Sequence, residues 1–249
     1  MSETALYTRP ATLEDKAMHY CPGCGHGITH RLVAELVEEM NLRESIIAIA
    51  PVGCSVLAYE YWDFDCTEAA HGRAPAVATG IKRTRPEAFV LAYQGDGDLA
   101  SIGIAEIIHA ANRGEKFTVI FINNTIYGMT GGQMAPTTLP EQKTATCPSG
   151  RDVGTMGYPI RMCEMLNTLE APALLARTML DGPGGIRKTK ATIKKAFECQ
   201  LQGKGFSMVE VLSPCPTYMR MEPKAAMEHV KQNVSQYFPV ETFRDRTAE

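Results

Sequence analysis

The turn Gly95-Asp96-Gly97-Asp98 is followed, 28 positions after Asp96, by the second residue of an Asn123-Asn124 pair. A divalent cation that holds a diphosphate takes hard oxygen ligands, and an Asp carboxylate, an amide oxygen and a backbone carbonyl would provide the protein's share of that shell. Gly95 and Gly97 let the backbone approach an anion closely. A helix starting just after the turn aims free N–H groups at the same spot. On its letters alone the stretch is an ordinary Asp-Gly turn; the Asn pair makes it a candidate anchor for a metal and a diphosphate.

A second set is built from sulfur. Cys21-Pro22-Gly23-Cys24 precedes a helical pattern, Cys54 stands in Pro51-Val52-Gly53-Cys54-Ser55, and Cys215 stands in Ser213-Pro214-Cys215-Pro216. A Cys-x-x-Cys pair can ligate zinc, act as a redox dithiol or hold cluster irons, and by itself it does not choose. Four converging thiolates favour iron-sulfur or zinc, and two buried thiols are the plain alternative. Of the other four cysteines, Cys66, Cys147, Cys163 and Cys199, the last falls on an amphipathic helix and reads as core. Cys147, in a glycine-rich loop, is the candidate for redox chemistry. His71-Gly72-Arg73 adds a polar group, in which the Arg73 fork suits a phosphate or carboxylate.

These residues need a scaffold that brings them together. The chain has 249 residues, 45% hydrophobic and 21% charged, enough for one large core, so a single domain over 1–249 is expected. Ile28, Leu32, Val33, Leu36, Val37 and Met40 recur at helical spacing. Ile46 to Ala50, Ala88 to Tyr93, Phe117 to Ile122, Leu174 to Leu180 and Phe206 to Leu212 read as buried strands. Ile102, Ala105, Ile108 and His109 mark a helix between the second and third of these, and Lys188 to Gln202 a helix between the last two. This alternation predicts an α/β fold with a doubly wound, mostly parallel sheet. Such sheets bind ligands beyond the carboxyl ends of their strands, where Asp96, Asn124, Cys54 and Cys215 all fall. Residues 127–157, rich in glycine with Pro136, Pro140 and Pro148, read as a functional loop. The tail from about 218 to 249, with one modest helical pattern near Lys224 to Val234, is expected to pack on a partner.

A net charge of -3 argues against nucleic acid as a partner. Lys188, Lys190, Lys194 and Lys195 flank Thr189, Ile193 and Phe197 and read as the solvated face of a helix. Lys82 and Arg83 read as surface charges. No stretch approaches 18 uninterrupted apolar residues, and Glu3, Arg9, Glu14, Asp15 and Lys16 leave no apolar leader, so a cytoplasmic protein with no membrane partner is expected.

With both motifs in place, the chain resembles the β subunit of the 2-oxoacid:ferredoxin oxidoreductases. The resemblance runs through residues 20–27, Pro51 to Ser55, His71-Gly72-Arg73-Ala74, Gly95 to Asp98, Ile122 to Thr137 and Val209 to Cys215. It implies a thiamine diphosphate-binding domain in which Asp96, the side chain of Asn124 and the carbonyl of Ile126 bind magnesium. Val52, Gly53, Cys54, Ser55, His71, Gly72, Arg73, Gly95, Gly97, Asp98, Gly128 and Met129 would line the cofactor. Cys21, Cys24, Cys54 and Cys215 would hold one four-iron four-sulfur cluster.

The implied activity is oxidative decarboxylation of a 2-oxoacid to acyl-coenzyme A and carbon dioxide, with electrons passed to ferredoxin. No catalytic residue is assigned in this chain. The activating Glu is expected on a partner α subunit, and further clusters on γ or δ subunits. In the loop Tyr127 to Gln133, Gly131 stands where some relatives carry Lys, which disfavours a second substrate carboxylate and leans the reading to 3-methyl-2-oxobutanoate over 2-oxoglutarate. Two other classes remain open: a subunit of a non-redox thiamine diphosphate decarboxylase, which needs no converging thiolates, and a structural subunit whose cysteines hold zinc.

Overall fold

The computed structural model describes residues 8–247, so Glu3 lies outside the described residues. Helix α1 (Gly25–Glu39) starts at Cys24, whose extended backbone serves as its N-cap, and buries Leu32, Val33, Leu36 and Val37 on one face. β1 (Ile46–Ala50), β2 (Cys66–Glu68), α2 (Ala74–Thr84), β3 (Phe89–Gly95), α3 (Ile104–Asn112) and β4 (Thr118–Asn123) follow. Beyond β4 come a hairpin of β5 (Ile126–Tyr127) and β6 (Gln133–Met134), then α4 (Val153–Met156) and α5 (Met162–Asn167). β7 (Leu174–Met179), α6 (Pro183–Leu201), β8 (Ser207–Leu212), α7 (Pro216–Met219), α8 (Pro223–His229) and β9 (Thr242–Asp245) complete the order.

The main sheet runs β2-β1-β3-β4-β8-β7-β9, parallel except for β9. Strands β3, β4 and β8 are buried on both faces, which explains their unbroken apolar runs. On one face α1 and α6 pack Val33, Leu36, Ile193 and Phe197 against Leu91, Ile120 and Val209. On the other, α2, α3 and α5 pack Ala78, Ile107 and Leu166 against Val90, Val119 and Phe121. The fold is the expected doubly wound α/β sandwich. The chain leaves β1 for one side of the sheet at β2 and for the other at β3, so the switch point lies between the carboxyl ends of β1 and β3.

Several details differ from the sequence reading. Residues Asp98–Ile102 form a π-helical turn, which shifts the phase of α3: its buried face is Ile107, Ala110 and Ala111, while Ile102 is exposed. Helix α2 was not expected, because its fully buried face consists of Ala74, Pro75 and Ala78, with only Val77 and Ile81 as larger apolar residues packed partly against the core. The tail folds onto its own chain, where Val230, Val234 and Phe238 cluster with Leu139 and Leu212 and β9 pairs with β7. The lysine-bearing face of α6 is tied down as well as solvated, since Lys190 bonds Glu35 and Glu39 of α1. Lys82 is half-buried and donates to the carbonyls of Pro86 and Ala88, and Arg83 pairs with Glu115.

Candidate functional site

The carboxyl ends of β1, β3 and β4 open onto a cavity of about 90 Å³ lined by Val52 to Ser55, His71, Gly95 to Asp98, Asn124 and Ile126 to Thr130, with His26 behind. That volume admits a few water-sized groups, such as a hydrated ion and a phosphate, rather than a whole dinucleotide-sized cofactor. Two larger clefts lie elsewhere, about 640 Å³ at the amino ends of β3 and β4 and about 890 Å³ along residues 131–148 and 217–221. The first has a buried carboxylate and amide, but Glu115 is neutralised by Arg83 and Arg113 and Gln200 is bonded to the Val90 backbone and Thr118, so neither is left for a metal; the second has no buried carboxylate.

Asp96 is 3% exposed. Gly97 N donates to its Oδ1 at 2.9 Å and Thr137 Oγ1 to its Oδ2 at 2.7 Å. Burial pushes its carboxyl up to about 6 in spite of these bonds. A cation at the site would reverse that penalty, so the carboxylate is kept where it gains most from a metal. Asn124 is also buried, and its Oδ1 accepts from Ile126 N at 3.2 Å. Between them Thr125 sits at φ 64, a left-handed conformation that costs an L-residue about 1–2 kcal/mol. Such strain persists only where surrounding bonds impose it: Thr138 Oγ1 donates to Thr125 O at 2.6 Å and Gln142 Nε2 to Thr125 Oγ1 at 2.9 Å. These oxygen donors fit a hard divalent cation with a diphosphate.

Gly97 has ordinary helical backbone, yet a Cβ there would stand 2.0 Å from Tyr127 Cε1. The glycine is required so that the Tyr127 ring can close over the turn. Asp98 faces the other way: His71 Nδ1 lies 2.6 Å from its Oδ1, Gly72 N donates to the same oxygen at 2.7 Å, and Gln94 Nε2 donates to Oδ2 at 2.6 Å. With both oxygens engaged, Asp98 pins the His71 loop to the cavity rim. Gly72 is buried against the backbone of Gly103 and Arg73 pairs with Glu106, so neither lines the cavity, in contrast to the sequence expectation.

The cysteines converge across Gly128. A Cβ at Gly128 would lie 3.1 Å from Cys54 Sγ and 3.6 Å from Cys215 Sγ. Burial, then the neighbouring thiols, push Cys24 and Cys54 up to about 12, and burial, then the Asp96 carboxylate and Cys21, push Cys215 up to about 11. Cys21, at the exposed edge, is among the neighbours that raise all three. All eight cysteines are free thiols. Among the described residues no three His, Cys, Asp or Glu side chains form a group that could hold one metal ion. Tetrahedral zinc at about 2.3 Å would draw its thiolates to about 3.8 Å from one another, whereas a four-iron cluster takes its four cysteines on a larger body. Sulfur donors gathered in this way suit a soft metal or an iron-sulfur cluster.

Cys147 is not the redox candidate that its loop position implied. It is 2% exposed and its thiol donates to Gly150 O at 2.8 Å; such a buried thiol is inert. Its loop is organised by Arg151, 5% exposed, which donates to the carbonyls of Pro136, Thr138, Gly157 and Tyr158. Sequence reasoning missed Arg151, Thr137, Tyr127 and His26. Only His26, two positions past Cys24, carried a signal; the others act through contacts distant in sequence. The His26 ring, 2.8 Å from the Tyr93 hydroxyl, is held neutral by burial and by His19, with its pKa lowered to about 3.

Residues 51–211 match the family described as thiamine pyrophosphate enzyme, C-terminal TPP binding domain. The fold and this match define the diphosphate-holding type of domain. A ketoisovalerate oxidoreductase subunit, VorA, of Methanothermobacter thermautotrophicus is 55% identical over 98% of this chain and 51% of its own length. A 2-oxoglutarate synthase subunit, KorB, of Methanocaldococcus jannaschii is 38% identical over 88% of this chain and 80% of its own. The solved 2-oxoglutarate:ferredoxin oxidoreductase from Magnetococcus marinus, with 2-oxoglutarate, coenzyme A and succinyl-CoA bound, superimposes with a TM-score of 0.80 at 27% identity, over 96% of this chain and 85% of that one. The chain belongs to the 2-oxoacid:ferredoxin oxidoreductase family, as a TPP-binding subunit of the β type. It spans about half the length of the VorA relatives it matches. Among the described residues no helix is long and apolar enough to cross a membrane.

Proposed function

We propose that this chain is the thiamine diphosphate- and cluster-bearing β subunit of a cytoplasmic 2-oxoacid:ferredoxin oxidoreductase that converts 3-methyl-2-oxobutanoate to its acyl-coenzyme A. The observation that carries this reading is the placement of Cys54 and Cys215 on one side of Gly128 and of Asp96 and Asn124 around the same cavity. A decarboxylase without redox chemistry needs the second pair and not the first. The choice of substrate rests on the 55% identity to a ketoisovalerate oxidoreductase subunit, against 38% to a 2-oxoglutarate synthase subunit, and on Gly131 in the loop.

When bound, thiamine diphosphate would supply the electron sink for decarboxylation and a four-iron cluster the acceptor for single electrons. Asp96, the Asn124 amide oxygen and the Ile126 carbonyl would hold magnesium, and through it the diphosphate. Gly97 keeps the turn low enough for the Tyr127 ring to cover it, which would limit the access of water to the site. Cys21, Cys24, Cys54 and Cys215 would hold the cluster. His71, fixed by Asp98, presents its other ring nitrogen at the cavity rim.

The cavity is too small for the whole cofactor, and Met129 at its mouth is 50% exposed. A partner α subunit would cover it and bring the activating Glu. The outer side of the tail would also meet a partner, while γ or δ subunits would carry further clusters toward ferredoxin. The assembled complex, purified without oxygen, should be brown, with a broad visible absorbance that fades on dithionite. A colourless complex with one zinc per chain would refute the cluster. Among 2-oxoacids, kcat/KM should be highest for 3-methyl-2-oxobutanoate, and a higher value for 2-oxoglutarate would overturn the substrate assignment.

A further inference from the structure

One buried charge pair lies outside the cavity and is not used by the chemistry above. Glu210 on β8 and Arg177 on β7 are in register, and both side chains are fully buried. Arg177 Nε donates to Glu210 Oε2 at 2.8 Å; its Nη2 donates to Glu164 Oε2 on α5 at 2.6 Å and its Nη1 to Pro239 O at 3.0 Å. The guanidinium also lies over the rings of Phe238 and Phe243. The other oxygen of Glu210 leads toward the site, since Asn123 Nδ2 donates to Glu210 Oε1 at 2.8 Å. Asn123 Oδ1 then accepts from Thr125 N at 3.2 Å.

The direction of this relay follows from the donors. A carboxylate that faces an arginine only accepts, so Asn123 must turn its NH₂ to Glu210 and its oxygen to Thr125. The same amide turned over would set its NH₂ against the Thr125 N–H and leave the left-handed turn without its inner support. Thr125 separates the two groups that offer oxygen to the metal, the Asn124 amide and the Ile126 carbonyl. Its other contacts, from Thr138 and Gln142, come from the long loop, whereas the relay comes from the central strands.

We infer that Glu210, oriented by Arg177, is the positioning residue for the Asn123–Ile126 turn and sets the affinity of the site for its divalent cation. This inference rests on the magnesium assignment made above for Asp96, Asn124 and Ile126. Groups that orient metal ligands typically change metal affinity by about 10–100-fold when replaced, and none of them needs to touch the substrate.

The test uses the assembled complex carrying Glu210→Gln, Asn123→Ala or both, with magnesium titrated in the presence of thiamine diphosphate and cofactor retention read by calorimetry. Gln at 210 still accepts a hydrogen bond but no longer dictates which way Asn123 turns. Asn123→Ala leaves the Glu210–Arg177 pair intact and cuts the relay alone, so it remains informative if Glu210→Gln fails to assemble. Each single variant should weaken apparent magnesium affinity by about tenfold, with kcat recovered at saturating magnesium, and the double variant should be no weaker than either single one. Unchanged magnesium affinity in Asn123→Ala, or additive losses in the double variant, would overturn the inference. A structural role alone would lower the yield of complex and leave the magnesium titration of the survivors unmoved. Asp96→Ala serves as the reference: if it retains cofactor, the metal assignment fails, and if it loses cofactor while Asn123→Ala does not, only the relay fails.

Discussion

Replacing Asp96 by Asn should make the cofactor-free protein more stable and at the same time remove its hold on the metal. The carboxyl rises from 3.8 in the unfolded chain to about 6 in the folded one because burial outweighs the bonds from Thr137 and Gly97. A raised carboxyl pKa means that the folded state binds more protons, so stability falls as pH rises through that interval. About two units at about 1.4 kcal/mol each give a penalty of about 3 kcal/mol, which develops between pH 3.8 and about 6 and is complete at neutral pH. Asn carries no such penalty. It can accept from Gly97 N with its oxygen and donate to Thr137 Oγ1, at a loss of about 1 kcal/mol for the weaker neutral bonds.

The net expectation is a cofactor-free Asp96→Asn protein about 2 kcal/mol more stable than wild type at pH 7.5, with the gap closing as pH falls below about 5. Denaturant titration at several pH values reads this directly. Adding magnesium and thiamine diphosphate at about 1,000 times Kd should stabilise the wild type by about 4 kcal/mol and the variant not at all, reversing the order. A variant less stable than wild type at pH 7.5 would refute the electrostatic reasoning. An equal response of both proteins to ligand would refute the metal assignment.

Three further outcomes follow from particular contacts. Gly97→Ala places a methyl group 2.0 Å from Tyr127 Cε1, so the ring must move; a loss of about 1–3 kcal/mol is expected by denaturation, with weaker cofactor retention, and a neutral result would show that the ring does not close the site. His26 and His30 are held neutral by burial first and by neighbouring imidazoles second, both well below 6.5, so their contribution is present above pH 6.5 and is lost as pH falls below it, at about 1.4 kcal/mol per unit for each ring. Substituting Gln for either should flatten that acid limb in equilibrium unfolding, and an unchanged slope would count against buried neutral rings. Cys54→Ala should impair electron delivery to ferredoxin more than carbon dioxide release, measured in parallel on the same complex; equal losses would make Cys54 chiefly structural.

The amino-acid sequence by itself determined five of the seven strands of the main sheet, the α/β class and the two motifs, whereas the short edge strands β2 and β9 carry no apolar run. Buried parallel strands are apolar on both faces, and helices such as α1 and α6 carry a large-residue stripe, so local pattern sufficed to find them. Helix α2 was silent because alanine and proline form its fully buried face, and α3 was read on the wrong face because the π-helical turn at Asp98–Ile102 adds a residue to its phase. Asp96 and Asn124 were legible because their spacing spans one strand–helix–strand unit. The residues that hold them were not: Thr137 reaches Asp96 across 41 positions, Glu210 reaches Asn123 across 87, and Arg177 reaches Glu210 across 33. Arg73 and Cys147, each suited by type, have partners that the sequence does not reveal: Arg73 pairs with Glu106 beside the cavity, and Cys147 is closed into a loop turn. Sequence carries what repeats along the chain. Which side chains meet across the sheet, and which oxygen or thiol is left facing the cavity, is decided by the packing of distant strands, and only the tertiary structure holds that information.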